Sequence, residues 1–165
     1  MLLINPPKGL NEIKEQYGNP DLNGDYILDK SFPEIYLKIF DLPFPLRLSW
    51  RPGIKVSRIQ AHISVGDVIR DALKEIHAYQ GEEYLEENGL NLFGGTFNFR
   101  TMRGRGALST HSWGIAIDIN PHLAPLGQIS RQPEFIIKAF ESRGFEWGGH
   151  WARPDGMHFQ ACRGY

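Results

Sequence analysis

Ser109-Thr110-His111-Ser112-Trp113-Gly114-Ile115-Ala116-Ile117-Asp118-Ile119-Asn120 holds the most informative pattern in the chain. From Gly114 onward, Ile115, Ile117 and Ile119 alternate with Ala116, Asp118 and Asn120. Period-two alternation marks a strand with one buried face. Asp118 therefore projects away from three core isoleucines. His111 lies just ahead of Gly114, close enough for the chain to bring it back beside Asp118.

Two more segments alternate in the same way. Met157–Ala161 sets Met157, Phe159 and Ala161 against His158 and Gln160; Thr96–Thr101 sets Phe97 and Phe99 against Asn98 and Arg100. Between them lie helical patterns. Val65, Val68, Ile69, Ala72, Leu73 and Ile76 form one face of a helix over 65–79, with Ser64 and Asp67 as a capping box and Gly81 as its stop. A second helix is predicted over Pro133–Arg143, ended by Gly144. A short one starts near Asn11, with Leu10, Ile13 and Tyr17 on its apolar side and Gly18 at its end. Gln80 to Gly89 reads as a polar surface loop or a frayed helix. Residues 1–50, rich in turn formers, read as an irregular lobe with strand pieces at Ile35–Phe40 and Leu46–Trp50. With no βαβ rhythm, the expected fold is α+β, a central antiparallel sheet flanked by helices. The 165 residues suit one domain, with the site-bearing core at 95–160.

Charge is balanced, with 18 basic against 19 acidic residues and a net charge of -1. That balance gives no long-range field to gather nucleic acid or anionic lipid, and neither is an expected partner. Cys162 is the sole cysteine, which excludes an internal disulfide and a thiolate metal site. The apolar run at Met1–Ile4 lacks a basic flank and is too short for a signal peptide core or a membrane span. The expectation is a monomer made in the cytoplasm that reaches any outside substrate only after release.

Any metal must then be held by imidazole and carboxylate. His111, Asp118 and His158 form a three-ligand set that leaves zinc a position for water, as hydrolytic sites require. Asp155, in the turn Pro154-Asp155-Gly156, reads equally as a base beside such a site and as a plain turn residue. Arg100 and Arg103 stand close together. Either can hold a substrate carboxylate or a developing oxyanion, and either can be a surface arginine.

The run Ser109–Asp118 resembles the S-x-H-x-x-G-x-A-x-D signature of zinc D-Ala-D-Ala carboxypeptidases and L-Ala-D-Glu endopeptidases. That group includes many bacteriophage endolysins and shares its fold with the hedgehog signalling domain. Trp147-Gly148-Gly149-His150-Trp151 and Asp155-Gly156-Met157-His158-Phe159 resemble its second block, W-G-G-x-W then D-x-x-H-F, and Phe99-Arg100 its aromatic–Arg element. The resemblance implies zinc on His111, Asp118 and His158, Asp155 as catalytic base and Arg100 as the substrate or oxyanion arginine, with Arg103 its rival. It implies a peptidoglycan peptide as substrate. Ser109 is a substrate-side candidate, Trp151 reads equally as a groove wall or as core, and His150, off the motif pattern, is a candidate at the rim. Gln160 departs from the Glu that many relatives carry after His-Phe.

Trp113 and Trp147 read as core or as groove walls, and His122 as a rim residue. Two other classes compete with hydrolysis. An iron(II) oxygenase shares the two-His-one-carboxylate donor set, but its usual first pair is H-x-D, unlike the spacing of His111 and Asp118. A non-catalytic zinc-bearing module has no use for a base at Asp155.

Overall fold

The computed structural model describes residues 1–104 and 106–165. Ile13 and Tyr17, one helical turn apart, are fully buried on helix α1 (Gly9–Tyr17), which Gly18 ends at φ 77°. Only a residue without a Cβ enters that region freely. Leu10, expected on the same apolar side, is exposed. A short α2 (Ser31–Tyr36) leads into β1 (Leu37–Leu48), which turns back into β2 (Arg51–His62). The first fifty residues are therefore not the irregular lobe their prolines suggested. The two predicted strand pieces belong to one long strand, with Ile35 and Tyr36 left in α2 and Ser49 and Trp50 in the turn that follows. Pro43 and Pro45 sit where the β1–β2 register breaks between Asp41 and Leu46. A residue without an N–H is tolerated at such a bulge.

Helix α3 (Gly66–Gln80) buries Val68, Ile69, Ala72, Leu73 and Ile76 as the periodicity predicts. The capping box does not form. The N-cap is Val65, the Ser64 N–H donates to His62 Nδ1, and Asp67 pairs with Arg70 one turn on. Of the two readings of Gln80–Gly89 the helical one holds: it contains α4 (Glu82–Glu87), anchored by the fully buried Leu85. Strand β3 (Leu92–Gly95) ends just before the strand predicted at Thr96–Thr101. Those residues keep their alternation, with Phe97 and Phe99 half-buried and Asn98 and Arg100 exposed. Their ladder is reduced to a bridge between Thr101 and Leu108. β4 (Ala116–Ile119), α5 (Glu134–Glu141), β5 (Glu146–Trp147) and β6 (His158–Gln160) complete the order, and Pro133 caps α5.

The six strands form one sheet in the order β2-β1-β3-β4-β6-β5, and the α+β expectation is borne out. One pair departs from it: β1 and β3 run parallel. In the β4–β6 ladder Ile117 lies opposite Phe159 and Asp118 opposite His158. Directly opposed residues share a face. The Ile117–Phe159 face meets α5, where Phe159 stacks on Phe140 at 4.5 Å. The Asp118–His158 face is the other side of the sheet. Buried Arg143, at the end of α5, ties that layer to α3 through Asp71 at 3.0 Å and Glu75 at 2.7 Å. No helix among the described residues is long and apolar enough to cross a membrane.

Candidate metal centre and its cleft

His111 reaches the sheet from a 3-10 turn, Thr110–Trp113, that ends at Gly114 with φ 69°. A Cβ on Gly114 would also stand 3.0 Å from the backbone N of His62, so the close approach of the two segments requires glycine. The His62 N–H donates to Gly114 O at 2.9 Å, and the fully buried Trp113 donates its indole N–H to Gly18 O at 2.9 Å. The turn is thus fixed from two sides.

His111, Asp118 and His158 converge. His111 Nε2 lies 3.2 Å from Asp118 Oδ1 and 3.2 Å from His158 Nδ1, and His158 Nδ1 lies 3.0 Å from Asp118 Oδ1. The outer ring nitrogens decide what these inner atoms are. His111 Nδ1–H donates to Thr96 O at 2.6 Å, and His158 Nε2–H donates to Gln160 Oε1 at 3.1 Å, with Thr110 Oγ1 at 3.3 Å. In the neutral rings, His111 Nε2 and His158 Nδ1 are therefore bare. Two lone pairs and a carboxylate oxygen face one another, which a cation between them satisfies. A tetrahedral zinc with bonds of about 2.0–2.1 Å sets its donors about 3.3 Å apart. The three residues fit such an ion, and the N2O donor set suits zinc.

The ionisation of the cluster follows from the same contacts. Burial alone would raise the Asp118 pKa, but the His111 and His158 imidazoles outweigh it and hold the carboxyl far below its usual range. Burial pulls His158 down, yet its bond to Asp118 and the charges of Asp118 and Asp155 raise it above an ordinary histidine. Asp155 is raised, chiefly by burial with a further push from Asp118, against the pull of His158, His111 and Arg100.

The three-residue cluster opens into a cleft of about 570 Å³. Asp155, Ser109, Trp151, Arg100 and Arg103 all line it, and so does Arg153, which the sequence reading passed over. Among the described residues Asp155 Oδ1 is a buried oxygen with no hydrogen-bond partner, on a side chain that lines this cleft. The Asp155 turn is tight: its N–H donates to Gly148 O at 2.9 Å, and a Cβ on Gly148 would lie 2.5 Å from Asp155 O. Arg100 has its backbone pinned on both sides, by Ser112 Oγ at 3.0 Å to its N and by Ser112 Oγ and Ser109 N at 2.9 Å to its O. Ser109 Oγ accepts from His111 N at 3.4 Å. The Trp151 ring stands 5.4 Å from that of His158.

His150 is a correction. It does not line the cleft; it packs edge-on against Trp147 at 4.8 Å and pairs with Glu141 at 3.2 Å on the surface. Its side chain belongs to the Trp147–Glu141 surface, a placement that adjacency to Trp151 in sequence does not encode. His122 is likewise exposed and outside the cleft. Trp113 is a core residue, and Trp147 is half-buried, donating to Gly156 O at 2.8 Å. Cys162 is fully buried, and burial pushes its thiol well above the usual range, so it is no nucleophile. Glu146 and Gln160 line the cleft and are additions to the predicted set.

A family model described as D-alanyl-D-alanine carboxypeptidase matches residues 103–161, roughly a third of the chain. That segment contains all three converging residues and Asp155, and over it the resemblance read from the motifs is borne out. Searches of curated proteins and of solved structures return no match.

Proposed function

We propose that this protein is a zinc-dependent peptidase that hydrolyses peptidoglycan stem peptides, most specifically an L-Ala-D-Glu endopeptidase of the lysin kind acting on the wall as a monomer. The observation that carries the reading is the meeting of three potential donor atoms, from His111, Asp118 and His158, in the same site as the unpartnered oxygen of Asp155. The peptidase-family match over the same segment supports it. His111, Asp118 and His158 hold the ion, which when bound supplies Lewis acidity that acidifies water and polarises a carbonyl.

The remaining chemistry belongs to the chain. Asp155, whose proton affinity burial raises, takes a proton from the attacking water and passes it to the leaving amine. Negative charge grows on the scissile oxygen as the water adds. Arg100, its backbone pinned to the His111 turn, balances that charge or clamps a substrate carboxylate. Arg103 and Arg153 offer further guanidinium groups in the cleft, and Trp151 and Ser109 wall the bound peptide.

Digestion of purified wall, with masses of the released fragments, tests the proposal. Cleavage between L-Ala and D-Glu leaves peptides beginning with D-Glu, stopped by chelator and restored by zinc. Release of single D-Ala residues moves the assignment to the carboxypeptidase activity that the matched family's description favours. A zinc-loaded protein that releases neither overturns the enzyme reading in favour of a binding module.

A further inference from the structure

We propose that Glu146 is a positioning residue for the metal centre, acting on His158 through Gln160. The inference rests on the metal-binding reading above and deepens it. The register places the three on one face: Glu146 lies opposite Gln160 in the β5–β6 ladder, and Gln160 follows His158 by two residues on β6. Gln160 Nε2 donates to Glu146 Oε2 at 3.1 Å, and the second oxygen, Oε1, accepts the Trp151 indole N–H at 3.0 Å.

Donor and acceptor roles run through this chain in one direction. A carboxylate only accepts, so the Gln160 amide must turn its NH2 toward Glu146 and its Oε1 toward His158. Oε1 in turn requires a proton on His158 Nε2, so that in the neutral ring Nδ1 is the bare nitrogen, toward Asp118 and His111. Glu146 thereby selects the tautomer that binds a cation. Gln160 is 1% exposed and His158 6%, so water does not compete freely for these bonds. The carboxylate that Gln160 lacks at its own position is supplied one strand away. Partners that orient a ligating imidazole typically change metal affinity by about 10–100-fold.

The test is zinc affinity of the metal-free protein by competition with a chromophoric chelator, together with the visible spectrum of the cobalt form. Glu146→Gln presents one acceptor and one donor to two N–H groups, so one contact becomes donor against donor. Zinc affinity is expected to fall about tenfold, with a shifted cobalt spectrum. The paired exchange Glu146→Gln with Gln160→Glu repairs the chain. The amide at 146 then accepts from Trp151 and donates to the carboxylate at 160, which also takes the His158 proton; only the 3.4 Å contact from Gln160 Nε2 to Cys162 O is lost. The exchange is expected to return affinity to within about threefold of the original.

Unchanged affinity in Glu146→Gln overturns the proposal, and so does a loss that the exchange fails to restore in protein with native circular dichroism. If Glu146→Gln does not fold, the exchange variant decides: native-like affinity upholds the relay and a tenfold loss rejects it. Failure of the unsubstituted protein to bind zinc is a different result and removes the metal-centre reading itself.

Discussion

His62 gives a pH dependence whose size can be worked from the structure. The residue is 1% exposed at the end of β2, stacked on Tyr36 and edge-on to Tyr17. Its Nε2–H donates to Tyr17 O at 3.2 Å and its Nδ1 accepts from Ser64 N at 3.1 Å. Both nitrogens are satisfied only in the neutral ring, since a second proton would face the Ser64 N–H. Burial accordingly pulls the pKa from 6.5 to about 4. As pH falls below 6.5 the unfolded chain takes up a proton that the folded ring refuses. The stabilisation is whole above that pH, declines at about 1.4 kcal/mol per unit, and is gone below about 4. The total is about 3 kcal/mol.

Urea unfolding of the original protein and of His62→Gln, both in chelator, isolates this contribution, because groups common to the two cancel in the difference. At pH 7.5 the variant should be less stable by about 1–3 kcal/mol, having lost one hydrogen bond and the ring packing. Between pH 7.5 and 4 that gap should close by about 3 kcal/mol, a relative midpoint movement of about 1.5 M for a slope near 2 kcal/mol per M. Parallel stability curves across the range would refute the neutral, buried histidine. The effect reaches the candidate site, because the His62 N–H holds Gly114 O.

Three further outcomes are expected. Asp155→Asn should keep its zinc and lower kcat by about 10²–10⁴-fold; retention of activity within tenfold, with zinc content verified, removes Asp155 as the base. Asp118→Ala should abolish stoichiometric zinc binding, measured by elemental analysis, and the same analysis of native protein should find zinc rather than iron. Gly148→Ala, whose Cβ would stand 2.5 Å from Asp155 O and 3.2 Å from the Trp151 ring, should lose about 1–3 kcal/mol in urea and activity with it. An unaffected enzyme would show that the Asp155 turn does not depend on that approach.

The parts of the site read correctly from sequence are those that local periodicity encodes. Alternation alone turns Asp118 and His158 away from Ile117 and Phe159, and the ladder pairs them in that sense. Asn120, called outward by the same rule, is fully buried because the strand ends at Ile119 and its side chain bonds Gln132 and the Leu92 N–H instead. His111 sits in a 3-10 turn with no periodic signal; its spacing before Gly114 and the motif pointed to it. Glu146 lies on a two-residue strand, too short for any alternation, so its place beside Gln160 follows from pairing that no local window contains. The first fifty residues misled for a similar reason: Pro43 and Pro45 read as breaks, but a bulge within one long strand absorbs them.

The arrangement also says what the ion does and does not contribute to folding. A slip of one residue in the β4–β6 register would carry His158 into the core and Phe159 into the cleft. Ile117 and Phe159 are each fully buried, worth about 1.5–3 kcal/mol apiece, so the apolar face fixes the register that aligns the polar one. What the fold itself brings together is local: His111 Nε2 and His158 Nδ1 at 3.0–3.2 Å from Asp118 Oδ1, with the outer ring nitrogens held by Thr96 O and Gln160 Oε1. In the proposed reading, a bound zinc would join these three atoms without exposing or burying more of the chain. Zinc at a hundredfold excess over its dissociation constant should therefore raise unfolding stability by about 2.7 kcal/mol, with the urea slope unchanged. A slope that rises by a quarter or more on adding zinc would mean that the ion organises the sheet, and that the apolar face does not set the register by itself.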